Sequence, residues 1–254
     1  MFAQAASIVS MRSSIDVHDA RRAAPAEPPV ALEAVVKTYR SGSDDVRALD
    51  GVSLDVAAGE LVAIVGPSGC GKSTLLNLVG CVDLPTGGSV RIRGQETSSL
   101  GDDALTRLRR DGVGTIFQFF NLLPALTVEE NVALPLMLQR VDRAAARERV
   151  AAVLRDVGIA EKARAYPAEI SGGQMQRAAV ARAIVHRPAI LLADEPTGNL
   201  DQRNGEIVLA LLRELAGRGQ AILMATHSAE ASSICDRVIV MKDGRIVSDA
   251  SSGR

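Results

Sequence analysis

The sequence predicts an α/β fold with a mixed sheet at its core, and three observations favour that class. A short β-branched run, Leu61–Val65, precedes the glycine-rich stretch Gly66–Thr74, which is followed by leucines at helical spacing. Two later apolar runs, Ala189–Ala193 and Ala221–Ala225, have the length of buried strands, and each is followed by polar residues suited to chemistry. Strong helix formers occupy much of the chain between these β-rich halves. Such alternation of strands and helices is typical of an α/β protein.

The glycine-rich stretch has the GxxxxGK[ST] spacing of a phosphate-binding loop. Its glycines let backbone N–H groups point at an anion, and the N-terminus of the following helix adds partial positive charge. Lys72 is placed to reach the β- and γ-phosphates, and the Ser73 hydroxyl is placed to ligate Mg²⁺. The alternative is a glycine-rich turn with an incidental lysine, which the flanking strand and helix disfavour. The predicted nucleotide site consists of Gly66, Pro67, Ser68, Gly69, Cys70, Gly71, Lys72, Ser73 and Thr74.

Composition excludes several other classes. The length of 254 residues allows one large domain or two small ones. The formal net charge of −1 gives no basic footprint, so we expect no nucleic-acid partner. Cys70, Cys81 and Cys235 are too few and too scattered for a disulfide framework or a zinc site, which indicates a reducing compartment. No apolar run approaches the roughly 20 residues that cross a bilayer, so we expect no direct membrane insertion and any membrane contact through a partner.

Residues 1–29 lack apolar periodicity, and we predict a disordered extension there and a folded domain over 30–254. Val30–Val36 and Val46–Val56 are predicted strands that form an antiparallel edge beside the nucleotide. Tyr39 follows the first of them, where its ring could stack on an adenine; a surface tyrosine at a strand end is an equally good interpretation from the residues alone. Further strands are predicted at 89–93 and, as a hairpin with an Asp-Gly turn, at 238–241 and 246–247.

The region from about 102 to 187 is predicted to be mainly helical and inserted between the β-rich halves. It contains one predicted strand, Val113–Phe117, which ends at Gln118. The apolar residues of 119–138 fit a groove or a partner-facing patch as well as a core. The composition of 142–157 is that of an amphipathic helix.

Three later segments carry the remaining candidate residues. Ser171 and the two glycines after it begin a predicted helix, a weak signal for a second anion site. Asp194 and Glu195 follow a buried strand, where α/β sheets place their chemistry. Because neighbouring side chains of a strand point to opposite faces, one carboxylate can face Mg²⁺ and the other the water that attacks the γ-phosphate. His227 ends the next strand and is expected at the same edge.

In this order the motifs resemble those of the ATP-binding subunits of ABC transporters, over about residues 30–250. The resemblance implies a P-loop NTPase fold of the ABC ATPase type, with a mixed sheet core, an antiparallel β edge subdomain and a helical subdomain at about 102–187. Ile170 departs from the leucine that usually precedes the signature, a conservative change.

The resemblance also implies roles for individual residues. Glu195 would be the catalytic base, with His227, Gln118 and Lys72 also catalytic, and Tyr39 would stack on adenine. The remaining implied sets are the metal ligands Ser73, Gln118 and Asp194; the signature Ser171, Gly172, Gly173 and Gln174, which would contact the ATP of a partner subunit; and the dimer loop Asn199, Leu200 and Asp201.

Within the family the chain is most similar to the group that serves macrolide exporters and lipoprotein release, on the basis of residues 119–124, 127–135 and 197–201. Membership implies hydrolysis of ATP with Mg²⁺, a homodimer in the ATP-bound state, and a separate transmembrane permease. The chain would lie at the cytoplasmic face of the inner membrane and power export or release of a lipophilic or peptide substrate. An ATPase that regulates a permease-like membrane protein in cell division or envelope signalling, without transport, would share these motifs. Chromosome and translation ATPases fit less well, because this chain has neither a long coiled-coil insert nor a second cassette.

Overall fold

The computed structural model describes residues 27–41 and 44–251, and these contain ten strands and seven α-helices. The predicted disordered extension, apart from residues 27–29, lies outside the described residues. The strands are β1 (Val30–Ser41), β2 (Asp44–Val56), β3 (Leu61–Val65), β4 (Gly87–Ile92), β5 (Gln95–Glu96), β6 (Val113–Ile116), β7 (Ile190–Asp194), β8 (Ala221–Ala225), β9 (Arg237–Lys242) and β10 (Arg245–Ser251). The helices are α1 (Lys72–Val79), α2 (Asp102–Gly112), α3 (Val128–Leu138), α4 (Arg143–Asp156), α5 (Gly172–Ile184), α6 (Gln202–Gly217) and α7 (Ala229–Ser233).

Six strands form the central sheet in the order β10-β9-β3-β8-β7-β6. The five strands from β9 to β6 are parallel, and β10 pairs with β9 in antiparallel fashion. The predicted mixed sheet is thus confirmed. Because β3, β7 and β8 run in the same direction, their carboxyl ends lie at one edge, where the phosphate loop, the acidic pair and the histidine follow them.

Both faces of the central sheet are buried, and alternate residues of its strands serve two different cores. On β3, Leu61 and Ala63 pack with helices α3, α4, α5 and α6, whereas Val62 and Ile64 pack with α1 and the antiparallel sheet. The strands β7 and β8 divide their residues in the same way. This explains why these strands read as continuous apolar runs.

The antiparallel strands form a separate four-stranded sheet in the order β2-β1-β4-β5. β1 and β2 are longer than predicted, because β1 continues past Val36 to Ser41 and β2 begins at Asp44 instead of Val46. The hydrogen-bonded pairing of β1 with β2 continues through polar residues at the ends of both strands. Hydrophobic patterning alone does not predict this extension.

The helical region is interrupted by a strand of the central sheet. β6 lies within 102–187 and pairs with β7, which confirms the predicted strand. Helix α2 precedes β6, and helices α3, α4 and α5 follow it. The limits of a helical subdomain remain a prediction. α3 includes Pro135 at its eighth position and is fixed at its start by a capping box between Thr127 and Glu130. Among the described residues, no helix has both the length and the apolar character needed to span a bilayer.

Gly114 of β6 is predicted to be required for the packing of α5 on the sheet. A Cβ at this position would lie 2.1 Å from the carbonyl oxygen of Ala183 in α5. Gly114→Ala should therefore lower the free energy of unfolding by about 1–3 kcal/mol, measured by urea denaturation. Gly217→Ala is the control, because a Cβ there meets no atom within 4 Å and should raise stability by about 0.4–1 kcal/mol. Equal effects of the two changes would contradict the prediction.

Candidate nucleotide-binding and catalytic site

The phosphate loop leaves β3 in a conformation that only glycine adopts readily. Gly66, Gly69 and Gly71 have φ values of +153°, +80° and +106°. A Cβ on Gly66 would lie 2.2 Å from the carbonyl oxygen of Met241, and one on Gly71 would lie 2.6 Å from that of Ala48. The loop is therefore held tightly against its neighbours, and its backbone can form an anion cradle at the start of α1.

The side chain of Lys72 folds back over this loop. Its Nζ donates hydrogen bonds to the carbonyl oxygens of Gly66 (2.7 Å) and Pro67 (3.1 Å) and lies 3.9 Å from the Sγ of Cys70. Cys70 is buried, whereas Ser73 is exposed in the first turn of α1. An ammonium group and a hydroxyl are thus available beside the free N–H groups of a helix N-terminus, the chemistry that binds phosphate and its counter-ion.

The acidic pair lies at the carboxyl end of β7, next to the phosphate loop. Burial raises the pKa of Asp194, the charge of Glu195 raises it further, and Lys72 opposes both. Asp194 is the last residue of the strand, but Glu195 lies beyond it with a left-handed φ of +47°. The expected alternation of the two side chains therefore does not come from strand geometry alone, because the backbone turns at Glu195.

His227 holds the carboxylate of Glu195. Its Nδ1 lies 2.7 Å from Oε1 of Glu195, and its backbone N–H donates to Oε2 at 3.4 Å. The Glu195 side chain is 16% exposed and that of His227 is 73% exposed. Both line a cleft of about 240 Å³ that continues to Asp201 in the predicted dimer loop. The pairing gives an oriented carboxylate with an accessible imidazole at its mouth.

Gln118 is joined to the predicted dimer loop rather than standing alone at the end of β6. The Nδ2 of Asn199 donates to the carbonyl oxygen of Gln118 at 2.9 Å, and the Nε2 of Gln118 faces Gly198 so closely that a Cβ there would be 2.9 Å away. Leu200 is half-buried, and Asp201 caps α6 by accepting a hydrogen bond from the backbone N–H of Asn204 at 2.9 Å. The glutamine and the dimer loop therefore form one connected unit.

The signature segment begins α5 with a complete capping box. The Oγ of Ser171 accepts from the N–H of Gln174 at 3.3 Å, and the Oε1 of Gln174 accepts from the N–H of Ser171 at 2.9 Å. Gly172 lies near Leu200, and a Cβ on Gly173 would fall 2.0 Å from the Oδ1 of Asn204. In the described part of the chain no hydrogen bond joins the signature to the phosphate loop. It meets the dimer loop and α6 instead.

Tyr39 is held by two charged neighbours. Its hydroxyl donates to Oδ2 of Asp83 at 2.8 Å, while the Nζ of Lys37 lies 4.8 Å from the ring centroid and 2.5 Å from Oδ1 of Asp83. Burial and the bond to Asp83 raise the pKa of Tyr39, and the hydroxyl of Thr74 opposes this. Tyr39 thus stands beside the last residue of the phosphate loop with 37% of its surface exposed, and its stacking on adenine remains a prediction.

The sequence profile of the family described as ABC transporter matches residues 49–198, more than half of the chain. The chain belongs to this family. It is an ATP-binding domain with the ABC ATPase fold, as the order of the motifs predicted.

Individual relatives agree with this assignment. The chain is 46% identical over 225 residues to the macrolide export ATP-binding/permease protein MacB of Hyphomonas neptunium and 43% identical over 220 residues to that of Escherichia coli K12. These alignments cover 89% and 87% of the chain but 35% and 34% of the relatives, so the chain spans about a third of their length. A dimeric ATP-binding cassette in a post-hydrolysis state, bound to ADP and Pi, matches with a TM-score of 0.80 and 41% identity, covering 87% of this chain and 98% of that one. The predicted similarity to the macrolide-exporter group is confirmed.

Three residues of this ABC ATPase that connect the motifs were not predicted. Gln176 binds backbone carbonyls after both β6 and β7, Arg182 binds those of Phe120 and Asn121, and Asn204 packs on Gly173. Gln176 lies within the signature run. A polar residue in a predicted helix made largely of small residues is the one sequence signal that could have identified it. Arg182 and Asn204 act on segments far away in sequence, and no local pattern marks them.

Asp83 is predicted to stabilise the cassette in a pH-dependent way. Burial alone would raise its pKa, but hydrogen bonds from Lys37 and Tyr39 outweigh burial and lower it. The stabilisation is therefore present above the unfolded pKa of about 3.9 and lost as the pH falls through the lower folded pKa. Asp83→Asn should reduce the free energy of unfolding by about 1 kcal/mol at pH 7 and by much less at pH 3, measured by urea denaturation.

Asp45→Asn is the control for this measurement. Asp45 is exposed and its nearest cation, the Nε of Arg40, is 3.9 Å away, so the change should stay within about 0.5 kcal/mol. A loss at Asp83 that is the same at both pH values would contradict the prediction.

Proposed function

We propose that this ABC ATPase hydrolyses ATP with Mg²⁺ and powers a separate transmembrane permease that exports or releases a lipophilic or peptide substrate. One observation carries the catalytic part of this proposal. A single edge of the central sheet holds the phosphate loop with Lys72, the half-buried Asp194, and a Glu195 carboxylate bonded to His227 at 2.7 Å. These are a phosphate cradle, a metal ligand and a positioned base.

Ser73 and Asp194 would hold Mg²⁺, together with phosphate oxygens and Gln118. Asp194 fits a cation because burial and the neighbouring Glu195 both disfavour its charge, so it gains from a positive partner. No cluster of three or more histidines, cysteines or carboxylates suited to a metal occurs in the described part of the chain. The ion therefore needs oxygens from the nucleotide, which is the way Mg²⁺ is commonly bound. When bound, Mg²⁺ neutralises charge on the β- and γ-phosphates.

Glu195 would accept a proton from the water that attacks the γ-phosphate. His227 donates its backbone N–H to one carboxylate oxygen, and its Nδ1 contacts the other, so the carboxylate cannot rotate freely. With a proton on Nδ1 the ring uses that nitrogen for Glu195, and its Nε2 is left for the phosphate. When both ring nitrogens carry a proton, Nδ1 donates to Glu195 and Nε2 donates to the γ-phosphoryl group, where His227 and Lys72 together stabilise the charge that develops.

The site would be completed by a second copy of the chain. The signature from Ser171 to Gln174 lies with the dimer loop and makes no hydrogen bond to the phosphate loop of its own subunit among the described residues. Its helix N-terminus suits the phosphates of a nucleotide held by a partner. The relatives solved as dimeric cassettes support a homodimer with two shared sites.

The apolar side chains of 119–138 would bind the permease. Phe119, Leu123, Met137 and Leu138 have 72%, 48%, 65% and 66% of their surface exposed, which is unusual for residues so apolar. The segment begins directly after Gln118 and so connects the nucleotide site to this patch. The relatives named as ATP-binding/permease proteins support such a partner, and the cassette would then sit at the cytoplasmic face of the inner membrane.

Glu195→Gln should lower the turnover of ATP by roughly 10²- to 10⁴-fold, because it removes the base while keeping the shape of the side chain. It should also trap an ATP-bound dimer. Turnover is measured by phosphate release, and the dimer by size-exclusion chromatography with ATP.

Glu214→Gln is the matched control: Glu214 is on α6 and pairs with Arg218, so turnover should match the wild type. Near-normal turnover in Glu195→Gln would remove Glu195 as the base.

Leu138→Asp should lower recovery of the chain with its membrane partner by roughly tenfold, the effect of about 1.4 kcal/mol of lost binding energy, and leave its basal ATP turnover unchanged. Val82→Asp is the control, because Val82 is also 66% exposed but lies after α1, outside the patch. Co-purification from membranes followed by identification of the partner measures both. Recovery only with DNA or ribosomes would contradict the permease proposal, and a partner without transport activity would favour the regulatory alternative.

A further inference from the structure

Gln176 is a fully buried amide between the two loops that carry the candidate catalytic residues. It lies in α5, five residues after Ser171, and has 0% of its surface exposed. Its Nε2 donates to the carbonyl oxygen of Pro196 at 2.6 Å and lies 3.4 Å from that of Phe117. Pro196 directly follows Glu195, and Phe117 directly precedes Gln118. One amide nitrogen therefore joins the signature helix to the backbone beside both residues.

The backbone of Glu195 needs such support. Its φ of +47° is unfavourable for a residue with a side chain, and conformations of this kind persist only when the surroundings fix them. The N–H of Glu195 donates to the carbonyl oxygen of Ala225 at 2.9 Å, and its own carbonyl oxygen accepts from the N–H of Gly198 at 3.0 Å. The bond from Gln176 to the carbonyl oxygen of Pro196 restrains the next peptide group.

Stability alone does not account for an amide at this position. The Oε1 of Gln176 is buried without a hydrogen-bond partner in the described structure, which is costly compared with an apolar side chain of the same length. A methionine would fill the same space and leave no orphaned oxygen on its own side chain. What it could not do is donate to Pro196 and Phe117.

We propose that Gln176 is a positioning residue that sets the carboxylate of Glu195 for attack on the γ-phosphate and links that setting to the signature helix. It is fully buried and acts through the backbone of Pro196 and Phe117. The inference rests on the proposed function, since it assigns Gln176 a part in ATP hydrolysis. Gln176 would thus connect two parts of one chain: the signature, which would contact the ATP bound by the partner subunit, and Glu195, which would act on the ATP bound by its own subunit.

The test compares Gln176→Met with Gln220→Met. Gln220 is a matched control, because its Nε2 also donates to two carbonyl oxygens, those of Pro188 (3.2 Å) and Ala221 (3.1 Å), before β8 and away from the catalytic edge. Gln176→Met should lower kcat by roughly 10- to 100-fold, the effect of misplacing a catalytic group by a fraction of an ångström to an ångström. KM for ATP should stay within about twofold, as expected for an interaction that matters in the transition state. Gln220→Met should keep both constants.

Two further measurements separate positioning from a structural role. ATP-dependent dimerisation should be the same for Glu195→Gln and for the double variant with Gln176→Met, because nucleotide binding does not need the positioned base. Gln176→Glu should recover activity relative to the wild type as the pH falls from 8 to 6, because a buried carboxyl that takes up a proton can again donate to Pro196. A role in folding alone would give no such pH dependence.

The outcomes are distinguishable. A folded Gln176→Met with kcat within twofold of the wild type, an equal loss in Gln220→Met, or loss of the ATP-dependent dimer would each overturn the assignment of Gln176. If Gln176→Met does not fold, the pH profile of Gln176→Glu decides, and a flat profile overturns it. Absence of ATP turnover in the wild-type chain would instead mean that the proposed function fails.

Discussion

The site depends on one constraint: β3, β7 and β8 are parallel neighbours, so their carboxyl ends meet at a single edge. Each strand delivers a different group there, the phosphate loop after β3, the acidic pair after β7 and His227 after β8. The strands hold this alignment because each is buried on both faces, with alternate residues in two separate cores. A shift of register by one residue would exchange the two cores, so the burial pattern also fixes the positions of the candidate catalytic groups.

Glu195 shows how the fold places a carboxylate where a strand alone would not. Its backbone leaves the β conformation and is held there by a hydrogen bond to Ala225 of β8, one from Gly198, and the bond from α5 to the next residue. The carboxylate is then oriented by His227, whose position comes from the next strand. The end of β8, the turn at Gly198 and helix α5 thus determine the geometry of one side chain. This is the kind of locally unfavourable conformation that a protein retains where chemistry needs it.

The sequence predicted the buried strands and the motifs well because these carry local signals. The bounds of β3 and β8 agree with the prediction, since apolar runs bounded by glycine or polar residues leave little choice, and α1 follows the phosphate loop as predicted. The connections between motifs could not be predicted. Three such connections join segments between 30 and 65 residues apart. They are the contact of Asn204 with Gly173, the bonds of Arg182 to the loop after Gln118, and the triad of Lys37, Tyr39 and Asp83. The spacing and periodicity of residues along the chain do not predict contacts between such distant pairs.

The segment after β6 joins the chemistry to the exposed apolar patch by a continuous and well-supported path. Asn199 and Gln176 bind the carbonyls of Gln118 and Phe117 at its start, and Arg182 binds those of Phe120 and Asn121. Asn131, which is fully buried, then accepts from the N–H of Leu123, and its Nδ2 lies within hydrogen-bond distance of three carbonyl oxygens in the loop before α3. These hydrogen bonds restrain the loop although it contains little regular structure. A restrained loop transmits displacement, whereas a free loop would absorb it, so a change at Gln118 would reach the exposed side chains at the far end of α3.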